Sequence, residues 1–117
     1  MPKISITAKR AKFLWMISRL LSFAEGQGIR LICFQFFQTF EVALQQFEEG
    51  KSKIEPRIHS TNHQLWLAMD FVIIDEKDQP IWVRSPAYES LGEFWKGLEG
   101  KWGGDWLSLN DVCHFEF

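Results

Sequence analysis

With 117 residues, 46% of them hydrophobic and 24% charged, the chain suffices for one domain, 1–117, around a single modest core. Thirteen basic residues against fifteen acidic ones leave a formal net charge of -2, which removes the electrostatic case for nucleic acid or an anionic membrane surface. No apolar run is long enough for membrane insertion, and Cys33 and Cys113 form neither a CxxC pair nor a disulfide framework, as expected of a chain made in a reducing cytoplasm.

The elements follow in order. "FLWMISRLLSFA" at residues 13–24 looks superficially like a signal peptide, but Arg19 interrupts it and no small-residue cleavage site follows. Phe13, Met16, Ile17, Leu20, Leu21 and Ala24 recur at helical spacing instead, so the segment is expected as an amphipathic core helix ending at "EGQG". "IRLICFQFF" reads as the first strand, and Thr39 as the N-cap of a helix reaching residue 49 and stopped by Gly50. "KSKIEPRIHSTN" is a polar loop. A strand over 65–74 ends in the charged turn "DEKDQ", and "PIWV" returns as its antiparallel partner. A helix over 88–98, the Gly-rich loop "GKWGGDW" and a final strand "VCHFEF" complete the chain. The expected class is α+β, with helices beside a small, mainly antiparallel sheet.

One carboxylate stands out. "HQLWLAMDF" is an apolar strand except for Asp70, and an ionised aspartate is costly to bury without something positive against it. No Lys or Arg lies between Arg57 and Lys77. The partner must come from elsewhere in the fold or be a metal. The three histidines are His59, His63 and His114, and two of them sit near acids, in His63-x6-Asp70 and Asp111-x2-His114. Catalytic zinc takes three His or carboxylate ligands and leaves a position for water, while a further carboxylate serves as general base. His63, Asp70 and His114 supply the ligands on this reading, and Asp111 the base. On a strand Trp66, Ala68 and Asp70 share a face, over which His63 folds back from the preceding loop. His59 reads as solvated, Cys113 as core on the face opposite His114, Trp82, Trp95 and Trp102 as core or rim aromatics, and Trp106 as either core or an aromatic lining the cleft.

"STNHQLWLAMDF", followed by "GGDWLSLNDVCHFEF", resembles the zinc D-alanyl-D-alanine carboxypeptidases and L-alanyl-D-glutamate endopeptidases, the peptidoglycan peptidases that include phage endolysins. The family pattern is a Ser-x-His-x-x-Gly-x-Ala-x-Asp block and a late Glu/Asp-x-x-His block. The resemblance puts His63, Asp70 and His114 on the metal ligands and Asp111 on the catalytic acid/base. It also matches Ala68, and Gly103 to Trp106 on the glycine-rich approach. It implies a fold of the Hedgehog/D,D-peptidase type, zinc as cofactor and peptidoglycan peptide stems as substrate; the chain is expected as a monomer. A phage enzyme of this kind is made in the cytoplasm and reaches the wall after membrane permeabilisation. The chain departs from the pattern where the family glycine is Trp66, a serine is Thr61, an arginine is Gln38, a glutamine is Ala43 and a proline is Cys113. Arg57 is the candidate replacement for the cation missing at Gln38. Two alternatives stand beside a working peptidase, whether endopeptidase or carboxypeptidase. One is a catalytically impaired zinc-binding module of the same fold, favoured by Gln38 and Trp66. The other is a structural protein whose acids and histidines are only hydrogen-bonded.

Overall fold

The computed structural model describes residues 4–37, 39–55, 61–107 and 110–117, so Gln38, Arg57 and His59 lie outside the described residues. Helix α1 spans Ile6–Gly26 and opens at Ser5, whose hydroxyl accepts the Ala8 N–H at 3.1 Å. Phe13, Met16, Ile17, Leu20 and Ala24 form its buried stripe. Leu21, grouped with them by spacing, is exposed. At about 100° per residue it falls about 80° round the helix from Phe13, whereas the other four lie within about 60°. Gly28 then takes φ +71°, which lets the chain turn into β1, Arg30–Gln35.

Helix α2, Phe40–Glu48, is capped by Thr39 as expected and followed by Gly50 at φ +76°. Ala43, where the family pattern has glutamine, is its fully buried residue. The remaining elements are β2 (Ala68–Ile74), β3 (Pro80–Ile81), α3 (Pro86–Gly97), β4 (Lys101–Trp102), a 3-10 turn (Gly103–Asp105) and β5 (His114–Glu116). The expected α+β class holds, with three helices beside a five-stranded antiparallel sheet.

Strand β2 is the centre of that sheet. It pairs with β1 along one edge, and along the other with β5 at Ala68–Asp70 and β3 at Ile73–Ile74; β4 extends the sheet beyond β5. Its burial on both sides explains the near-continuous apolar run in its sequence. Helices α1 and α3 pack together, and their aromatic contacts run from Phe13 edge-on to Trp95 (5.7 Å) and from Trp95 edge-on to Phe115 of β5 (5.8 Å). The polar ends of the buried rings are all used. Trp95 Nε1 donates to the Glu116 carbonyl at 2.9 Å and Trp102 Nε1 to the Val112 carbonyl at 2.8 Å. Tyr88 accepts the Ile73 N–H at 3.0 Å and donates to the Ile81 carbonyl, which ties α3 to β2 and β3.

Two of the boundaries that differ from the sequence reading have a clear local cause. The strand expected over 65–74 begins at Ala68, because residues 61–66 close into a hydrogen-bonded turn. The helix expected from residue 88 starts at Pro86, since Ser85 accepts the Tyr88 N–H and proline suits the first helical position. Among the described residues no helix is long and apolar enough to cross a membrane.

Candidate metal centre

Two adjacent strands and one turn build the site. Asp70 of β2 stands directly opposite His114 of β5, and cross-strand partners present their side chains to the same face. His114 Nδ1 lies 3.1 Å from Asp70 Oδ1. His63 comes from the 61–66 turn, which is closed by a reciprocal pair: the Thr61 hydroxyl accepts the Gln64 N–H at 3.1 Å, and the Gln64 side chain accepts the Thr61 N–H at 2.8 Å. This is the logic of a capping box. Thr61 therefore retains the hydroxyl of the serine it replaces. The turn leaves His63 Nε2 3.4 Å from Asp70 Oδ1.

The outer hydrogen bonds fix which ring nitrogens face inward. The Phe36 carbonyl can only accept, so the His63 Nδ1 that it meets at 2.8 Å carries the proton and Nε2 turns a lone pair toward Asp70. The Glu116 carboxylate takes His114 Nε2–H at 2.8 Å and is itself held by the Asn62 amide. With Nε2 thus protonated, the neutral form of His114 also points a lone pair at Asp70. Three electron-pair donors then converge, all within 4.8 Å of one another, from residues that are each over nine-tenths buried. Such a set suits a cation at its centre. Donors about 2.0–2.1 Å from a common tetrahedral ion stand roughly 3.3–3.4 Å apart, and the two separations measured from Asp70 Oδ1, 3.4 Å to His63 and 3.1 Å to His114, are near that value. Histidines whose outer N–H is held by a carbonyl and a carboxylate also match the usual surroundings of metal-ligating imidazole.

The electrostatics answer the question that Asp70 poses. Burial opposes its charge, but the His114 and His63 imidazoles against it outweigh this and hold the carboxyl below its usual range. His114 is its counterpart. Burial disfavours its charged form, yet Asp70 and Glu116 raise it to about 9, so without a metal it would carry the positive charge itself.

Asp111 is half-buried, and burial followed by the nearby charge of Asp70 pushes its carboxyl above the usual range. Its spacing to His114 has a local cause: the Cys113 N–H bonds to its side chain and the His114 N–H to its carbonyl at 3.2 Å, so one tight turn presents both residues. Gly103 closes on that turn, its carbonyl accepting the Asp111 N–H at 2.9 Å. Arg84 holds the same region by donating to the Gly104 carbonyl at 2.8 Å and to Asn110 Oδ1 at 3.1 Å.

The structure thus brings together His63, Asp70 and His114, with Asp111 beside them. Cys113 is core, its thiol 3.5 Å from the Tyr88 hydroxyl. Trp106 packs its ring 4.7 Å from that of His114 and belongs to the rim of the site. Trp66 overturns an expectation. It does not share the strand face of Asp70 but ends the preceding turn at φ +62°, 41% exposed. The family glycine at this position suits a left-handed backbone. Glu116 is missed by the sequence reading, although its place two residues after His114 on a strand puts it on the same face. The Phe36 carbonyl, Asn62 and Arg84 leave no such signal.

A D-alanyl-D-alanine carboxypeptidase family model matches residues 56–117, a stretch that contains all four residues of the site. The chain belongs to this family. The carboxypeptidase-family fold is also that of the crystal structure of Serratia marcescens L-Ala D-Glu endopeptidase ChiX. The two chains superpose with a TM-score of 0.69 at 16% identity, over 90% of this chain and 77% of the other. The superposition therefore extends well beyond the part matched by the family model. A search of curated proteins gave no match.

Proposed function

We propose that this protein is a zinc-dependent peptidase that hydrolyses peptide bonds in the peptide stems of peptidoglycan. The observation that carries the reading is the convergence of His63 Nε2, Asp70 Oδ1 and His114 Nδ1 on one buried point, in a chain of a D-alanyl-D-alanine carboxypeptidase family. These three residues hold the metal, and the Phe36 carbonyl and Glu116 keep the two imidazoles in the ligating orientation. When bound, zinc supplies the Lewis acidity that polarises a carbonyl and acidifies water. Asp111 accepts a proton from the attacking water at its carboxylate and returns it to the leaving amine. Arg84 and Gly103 hold the turn that carries it.

The impaired-module alternative loses one of its supports. Trp66 adopts the left-handed backbone itself, so the family glycine is replaced without dismantling the turn that carries His63. The test is zinc content of the purified protein, measured together with the products formed from purified peptidoglycan. Free D-alanine marks carboxypeptidase action, and new amino groups within the stems mark endopeptidase action. A protein with stoichiometric zinc and no product from either bond is a binding module. A protein without zinc overturns the reading.

A further inference from the structure

Trp66 occupies a position where a side chain is unfavourable. Its φ of +62° lies in the left-handed region, which bulky residues rarely adopt and which persists only when the surroundings hold it there. The indole is 41% exposed, so burial alone is a weak reason to keep it. Its contacts are specific. It stacks on Phe37 with ring centroids 4.5 Å apart and planes 18° from parallel, and it meets Phe36 edge-on at 5.1 Å. Phe36 leans on the other side against Phe13 of the core, at 6.1 Å. The carbonyl of this same Phe36 receives the His63 Nδ1–H. Within the turn, the Trp66 N–H bonds back to the His63 carbonyl at 3.3 Å.

Trp66 therefore joins the two sides of one hydrogen bond: the turn that carries His63, through its backbone, and the chain segment that carries the accepting carbonyl, through its ring. We propose that Trp66 is a positioning residue for His63, acting through Phe36 and Phe37, and that it sets the metal affinity of the site. The inference rests on the metal reading of the site given above. A glycine here satisfies the backbone but cannot make the ring contacts, so this chain would hold its first metal ligand by a device that glycine at this position cannot supply.

The experiment measures zinc affinity of the metal-free protein by competition with a chromophoric chelator, alongside the melting temperature of each metal-free form. Loss of an outer partner of a metal ligand typically lowers affinity about 10–100-fold. Trp66→Gly should show a loss of that order while Trp66→Phe recovers most of it, and the metal-free melting temperatures should not follow the same ranking. The His63 Nδ1–H proton, observed by nuclear magnetic resonance, should exchange faster with water in Trp66→Gly than in wild type. Phe37→Ala removes the same stack from its other side and gives an equivalent reading should the glycine variant not fold. Wild-type affinity in Trp66→Gly or Phe37→Ala, or an affinity loss in Trp66→Phe as large as in Trp66→Gly, overturns the inference and leaves the metal reading intact. A wild type that binds no zinc overturns the metal reading itself.

Discussion

Asp70 and His114 are 44 residues apart in sequence and directly opposite each other on adjacent antiparallel strands, with 3.1 Å between Oδ1 and Nδ1. The sheet register alone makes this pair. His63 then needs only a short turn before β2 to arrive at the same point. A site built in this way is rigid on two sides, because both strands lie inside the sheet.

Removing any of the three donors should remove the metal. His63→Ala, Asp70→Ala and His114→Ala are each expected to copurify without stoichiometric zinc, whereas wild type should hold about one ion per chain. A ligand that binds only the folded state stabilises it by about 2.7 kcal/mol at a free concentration 100 times its Kd. Zinc should accordingly raise the melting temperature of wild type by on the order of 10 °C and leave those of the three variants in place. Elemental analysis and a thermal melt with and without added zinc check this.

The two aspartates should separate cleanly. Asp111→Ala is expected to keep its zinc and lose hydrolysis by about 10²–10⁴-fold, the usual contribution of a general base. Its carboxylate is tied to the Cys113 N–H and is not among the converging donors. A variant at Asp111 that loses metal, beside an Asp70→Ala protein that keeps it, would reverse the assignment.

Without metal, stability should depend on pH through His114. Burial opposes its charge, but Asp70 and Glu116 hold the folded-state pKa at about 9, above the unfolded value of about 6.5. A raised pKa contributes stability that is complete below the unfolded value and is lost as pH climbs through the folded one. The metal-free protein should therefore weaken between about pH 6.5 and 9, by up to about 3 kcal/mol. The zinc-bound protein should not follow this curve, since the metal takes the place of the proton. Chemical denaturation of both forms across this range provides the measurement.

Much of this was readable from the chain because the signals were local. Thr39 and Gly50 bracket α2, Gly28 ends the first helical unit, and the spacing of Phe13, Met16, Ile17, Leu20 and Ala24 marks the buried stripe. The grouping of His63, Asp70 and His114 was legible because an aspartate in an apolar strand calls for a positive partner, and these were the histidines near acids. What stayed hidden depends on tertiary contact. The residues before Ala68 have the composition of a strand, but the Thr61–Gln64 reciprocal bonds draw them into a turn, so the inferred orientation of Trp66 was wrong. A backbone carbonyl such as that of Phe36 has no residue type to announce it. Strand β4 is two residues long and is flanked by glycines that make the stretch read as loop. Its pairing with β5 depends on Trp102 packing where Gly92 and Gly104 leave room.

The glycines ahead of Trp106 lead to a last prediction. A Cβ on Gly103 would sit 2.4 Å from the Asp111 carbonyl oxygen, 2.9 Å from His114 Cβ and 3.2 Å from Asp111 Cβ. The nearest atom is backbone and cannot swing away, so Gly103→Ala must push the 3-10 turn off the Asp111–His114 turn. The Gly103 carbonyl also accepts the Asp111 N–H, and displacement weakens that bond too. The expected cost is about 1–3 kcal/mol, typical of overpacking a filled interior. Because the displaced turn carries both a ligand and the base, zinc affinity and hydrolysis should fall with it. Gly97→Ala is the matching control: it lies in α3, its added Cβ meets nothing within 4 Å, and its backbone does not need glycine. It should stabilise the fold by about 0.4–1 kcal/mol and leave zinc affinity unchanged. Denaturation midpoints and zinc titrations of the two variants decide the matter. Equal behaviour of the two would mean that Gly103 does not gate the approach of its turn to the site.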